Sequence, residues 1–131
     1  MAKTKIGTTF LGPQKGLSIV GDHCMAYSGE VTVANNEVFL LDFFSPGKRY
    51  IIGEVQLGSK GAGNEDFDFE IYFNGLVVFS SKFENQASAN IGPWPIPLMI
   101  PPSTKVKMSL QNVVGSDARI WTVGLVGRVY A

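Results

Sequence analysis

The chain has 131 residues, the size of one ordinary domain, long enough to bury roughly two-thirds of its unfolded surface around a single core. With 45% hydrophobic and only 17% charged residues it lies outside the composition of disordered chains, and eleven basic side chains cancel eleven acidic ones, which excludes the one-signed field of a nucleic-acid or anionic-membrane binder. Cys24 is the only cysteine, so no intrachain disulfide can form, and no apolar run is long enough to span a bilayer.

Residues 1–16 mix Gly, Thr, Lys and Pro with isolated hydrophobes such as Phe10 and Leu11. That composition predicts an N-terminal arm ahead of one β-domain over 17–131. Behind Lys3 and Lys5 there is no apolar run of signal-peptide length, so synthesis in a cytosol is the expectation. Strand-like runs follow: Leu17 to Val20, Met25 to Ala34 alternating around Tyr27, Gly29, Val31 and Val33, a turn at Asn35-Asn36, and a continuous apolar run from Glu37 to Phe44. Ser45-Pro46-Gly47 predicts a tight turn with a glycine free to take positive φ. Arg49 to Leu57 is the next strand, and Ser59 to Asn64 a flexible loop.

Phe67, Phe69, Ile71 and Phe73 alternate with Asp66, Asp68, Glu70 and Tyr72, which in a strand sends the aromatic and apolar set to the core and the acids to solvent. Asn74-Gly75 then separates this run from Leu76-Val77-Val78-Phe79, the pattern of a two-residue type I′ hairpin. Ser80 to Asn90 is polar and irregular, and a proline-studded stretch from Trp94 to Pro102 leads into two clean alternations. In the first, Val106, Met108 and Leu110 face one way; in the second, Trp121, Val123, Leu125 and Val129 do. No stretch keeps a helical period. About eight strands in two packed antiparallel sheets, an all-β sandwich of jelly-roll type, is the predicted architecture.

Chemistry is sparse. His23 is the only histidine and so the only obvious base for a nucleophile, but it adjoins Cys24 and neighbours in an extended segment point to opposite faces. No catalytic residue is assigned. Asp66, Asp68 and Glu70 could contribute oxygen ligands to calcium, but they read first as a solvated outer face balanced by lysines on neighbouring strands, and no cofactor is expected. Trp121 shares its phase with core positions. Trp94, between Pro93 and Pro95, cannot sit in a central ladder and reads as a loop residue that caps the sandwich, joins a neighbour, or offers a stacking face to a ligand. Tyr27 and Tyr50 are further stacking candidates, and Trp94, Pro95, Phe10 and Leu11 are the candidate interface residues. Gly124 and Gly127 lie within a strand and suggest a bulge or a close strand contact.

The segment Leu98-Met99-Ile100-Pro101-Pro102-Ser103-Thr104-Lys105-Val106-Lys107-Met108 and the terminal Thr122-Val123-Gly124-Leu125-Val126-Gly127-Arg128-Val129-Tyr130 resemble the last strands of small single jelly-roll structural proteins of tailed and other environmental viruses. The hairpin around Asn74-Gly75 fits that layout. The resemblance covers roughly the C-terminal half and implies a non-enzymatic capsid, minor capsid, decoration or vertex subunit. Such a protein would be made in the host cytoplasm and built into the virion, where it would contact copies of itself and other virion proteins. A net charge of zero suits a subunit packed beside its copies. A carbohydrate- or receptor-binding module, with a glycan or receptor as partner, is the alternative; nucleic acid and membrane insertion are not expected.

Overall fold

The computed structural model describes residues 16–60, 66–83 and 95–131, and among these there is no helix. Ten strands form: β1 (Ser18–Val20), β2 (His23–Tyr27), β3 (Val31–Val33), β4 (Val38–Phe44), β5 (Tyr50–Lys60), β6 (Phe67–Phe73), β7 (Leu76–Phe83), β8 (Ile96–Ile100), β9 (Lys105–Asn112) and β10 (Arg119–Tyr130). A six-stranded sheet has the order β1-β2-β10-β5-β8, with β3 also on β10; a four-stranded sheet has the order β4-β9-β6-β7. All pairings are antiparallel. The pairs β2·β10, β4·β9, β5·β8 and β6·β7 are nested, so the chain is one long hairpin closed at Asn74-Gly75 and rolled so that β2·β10 and β5·β8 fall in one sheet and β4·β9 and β6·β7 in the other. This is the jelly-roll β-sandwich that the turn spacing predicts, with β1 and β3 as two short additions to the eight principal strands.

The hairpin tip carries the expected type I′ signature: Asn74 has φ 52° and Gly75 φ 86°. Alternation assigns the core as expected, with Phe67, Phe69, Ile71, Val106, Met108, Leu110, Trp121, Val123, Leu125 and Val129 all buried. Trp121 sits between the sheets, its ring 5.3 Å from that of Phe67 and 5.7 Å from that of Phe83. The prolines act as expected too. Pro97 lies in the edge strand β8, where a missing N–H is tolerated, and Pro101-Pro102 break the chain between β8 and β9.

Three local expectations are corrected and a fourth is explained. The run from Met25 to Ala34 is two strands, because Gly29 takes φ 72° and the Ser28 hydroxyl accepts from the Val123 amide at 2.9 Å where a ladder bond would otherwise continue. The continuous apolar run of β4 is explained by a bulge between Phe39 and Leu41, which lets both Leu40 and Leu41 turn inward. Ser59 and Lys60 belong to β5, held opposite Trp121 and Ile120, and residues 61–65 lie outside the described part. At the Ser45-Pro46-Gly47 turn the positive φ falls not on Gly47 but across the turn on Ser103 (52°), whose amide donates to the Pro46 carbonyl.

β5 and β10 pair without a slip from Ile120↔Lys60 to Tyr130↔Tyr50. At the facing pair Gly53 and Gly127 the two backbones leave no room for a side chain. A Cβ on Gly127 would stand 2.5 Å from the Ile52 carbonyl oxygen, and one on Gly53 equally close to that of Val126. Only two facing glycines allow this, which makes the close-contact reading of Gly127 the right one.

Candidate interaction surface

The register places residues that are far apart in sequence in adjoining rows on the outer face of the six-stranded sheet. One row runs Val20, His23, Arg128, Ile52, Met99; the next runs Ser18, Met25, Val126, Glu54, Pro97. The apolar members are not covered: Val20 is 52%, Ile52 45%, Met99 60% and Val126 41% exposed. Beneath them the backbone at Gly53 and Gly127 lines an open depression of about 690 Å³. Its rim carries both signs of charge. Asp22 lies 3.5 Å from His23 and 3.7 Å from Arg128, and Glu54 stands on the next row.

The outer face of the four-stranded sheet is built differently. Lys105 pairs with Asp42 at 2.7 Å and lies over the Phe44 ring, while Lys107 lies over the ring of Phe39. The Tyr72 hydroxyl stands 2.7 Å from Glu37 Oε2 and 2.8 Å from Glu70 Oε1, and Ser109 donates to the same Glu37 oxygen at 2.6 Å. The phenol has one proton and so serves one carboxylate at a time. The hydrogen bond to Glu37 is the main reason its pKa is raised well above the usual tyrosine value, with desolvation and Glu70 adding to it.

The calcium candidates divide here. Asp68 stands opposite Lys82, and Glu70 accepts from Tyr72. Asp66, just ahead of β6, accepts the Val113 amide through its carbonyl. Among the described residues no three carboxylate, thiol or imidazole groups come together as a metal site. His23 and Cys24 point to opposite sides of β2: Cys24 is buried, with its thiol pKa pushed up by desolvation, while His23 is exposed beside Asp22.

The stacking candidates do not form one platform. Tyr27 lies over Gly124, its ring atoms within 3.2 Å of where a Cβ would be, and Tyr50 stacks on Tyr130 with centroids 5.6 Å apart. Their partners on β10, Gly124 and Tyr130, are separated by six positions, or about 20 Å of strand. Pro95 is exposed at the mouth of an apolar cleft between β7 and β8; Trp94, Phe10 and Leu11 lie outside the described residues. Sequence reasoning missed Arg119, which is buried and donates through Nε to Ser59 at 3.1 Å. It also missed the apolar rows on the outer face, whose members come from five strands and give no local signal.

No family model and no curated protein matches the chain. Among solved structures it is similar to the insecticidal delta-endotoxin Cry8Ea1 of Bacillus thuringiensis, at 18% identity over 79% of this chain and with a TM-score of 0.35. The match spans 18% of that toxin's length, and at this similarity it bears no functional weight.

Proposed function

We propose that the chain is a non-enzymatic structural subunit that joins copies of itself through the outer face of its six-stranded sheet, in the manner of a capsid, minor capsid, decoration or vertex protein of a virus particle. The observation that carries this reading is the pair of adjoining rows that leave Ile52, Met99 and Val126 side by side and open to solvent. Scattered exposed hydrophobes need no explanation, but contiguous ones on a sheet face mark an interaction site. A second copy is the fitting occupant for two reasons. The rim presents Asp22 and Glu54 together with Arg128, so that a symmetric contact can set acids against bases, and the chain as a whole has no net charge to hold copies apart. The C-terminal resemblance to viral jelly-roll subunits supports the same class.

Sedimentation of the purified chain over a range of concentrations tests the proposal. The expected result is a defined oligomer that the double variant Ile52→Glu/Met99→Lys, which sets opposite charges on facing strands, shifts to a smaller species with its melting temperature little changed. A wild-type chain that stays monomeric throughout would overturn it.

A further inference from the structure

Among the described residues the strand edges of the sandwich are not equally protected. β1 and β3 offer only three residues each, β8 carries Pro97, and β4 is bent by its bulge. β7 runs for eight residues, Leu76–Phe83, with no proline and a single charge, Lys82. Among the described residues it pairs only with β6. Its own irregularity lies at Val78, opposite the Ile71/Tyr72 step, which leaves Phe79 to Phe83 as a regular run whose outer edge has no strand partner among the described residues.

We propose that this edge pairs antiparallel with β7 of a second copy about a two-fold axis through Ser81, joining two four-stranded sheets into one. The inference rests on the self-association reading above and adds a second contact to it. The register follows from geometry. Phe79 and Phe83 pack against the core, so Phe79, Ser81 and Phe83 share the inward side while Ser80 and Lys82 point out. A pairing that keeps both cores on the same side must set inward residues against inward ones, so the axis falls on a residue and not between two. The centre of the regular run is Ser81. Phe79 then faces the second copy's Phe83 on the inner side, beside the apolar cleft of about 300 Å³ that Phe79 and Phe83 form with Pro95 and Ile96. On the outer side each Lys82 faces a Ser80, so the only charges on the strand do not oppose each other.

Ser80→Lys in the full chain is the decisive variant. Within its own sheet position 80 faces Glu70, so the fold gains an attractive pair, but across the axis the new lysine meets Lys82 twice. The expected result is an oligomer weakened by roughly tenfold or more in dissociation constant. The swap Ser80→Lys/Lys82→Ser, which removes the opposed pair, should restore it. Separately, Ser81→Cys should give a disulfide-linked dimer under mild oxidation. If Ser80→Lys sediments as wild type and Ser81→Cys gives no covalent dimer while the chain still self-associates, the edge pairing is overturned and the face contact stands. If the Ile52→Glu/Met99→Lys variant has no effect but Ser80→Lys does, the face contact falls and the edge contact remains. A monomeric wild type removes both.

Discussion

The two sheets have the same kind of inner face and opposite outer faces. Inward, each presents tightly buried apolar side chains: Phe69, Ile71, Met108 and Leu110 from the four-stranded sheet, Ile51, Val55, Trp121 and Leu125 from the six-stranded one. Outward, the four-stranded sheet is laced by Lys105 on Asp42 and by the Glu37, Tyr72, Glu70 and Ser109 network, with Phe44 left exposed on its edge strand, while the six-stranded sheet exposes Ile52, Met99 and Val126 beside an open depression. The core constrains both inner faces alike. What differs outside is therefore free of the core, and the sheet that leaves neighbouring apolar side chains open between its charges is the one to read for contacts.

The inner equivalence can be attacked first, because it carries the largest energies. Trp121→Ala and Phe69→Ala, one from each sheet, should each cost about 3–5 kcal/mol in denaturant unfolding, since both leave large cavities between the sheets. A clearly smaller loss at Trp121 would mean that the six-stranded sheet contributes less to the core than its burial indicates.

A step down in size, Gly127→Ala pushes a methyl into the Ile52 carbonyl and the Gly53 backbone, with no flexible side chain to move aside. About 1–3 kcal/mol of destabilisation is expected, against no more than about 0.5 kcal/mol for Ser80→Ala on the exposed outside of the other sheet. Equal, small effects at the two positions would remove the close strand approach that floors the depression.

The smallest effect sharpens the polar face. Tyr72→Phe should cost about 0.5–1.5 kcal/mol near neutral pH by taking the shared donor from Glu37 and Glu70. Because folding raises the phenol's pKa above its ordinary value of 10.0, its contribution is complete below that value and is lost as the pH climbs above it. The wild type should therefore lose stability relative to Tyr72→Phe on the alkaline side, and parallel pH profiles of the two proteins would show that the phenol is not held as described.

Much of this was legible in the chain itself. Period-two alternation identified the inward sets of β6, β9 and β10, and Asn74-Gly75 identified the tip around which the whole hairpin is rolled, because only those local rules decide such positions. Where a local rule met a tertiary constraint, it gave way. Gly29 interrupts an alternating run because Ser28 bonds across to Val123, ninety-five positions away, and Leu40 and Leu41 both face inward because a bulge against β9 allows it.

The candidate surface shows the same limit more strongly. Tyr27 and Tyr50 look equivalent as letters, but strand pairing sets them about 20 Å apart and commits each ring to a neighbour, Gly124 or Tyr130. Sequence by itself determined the fold class, the core phases and the Asn74-Gly75 turn, whose rules act between residues a few positions apart. Only the tertiary structure decided that Val20, Ile52, Met99 and Val126 would share one open face and that β7 would be left at an edge, because both depend on strand order and register, and the pairing of distant strands sets those.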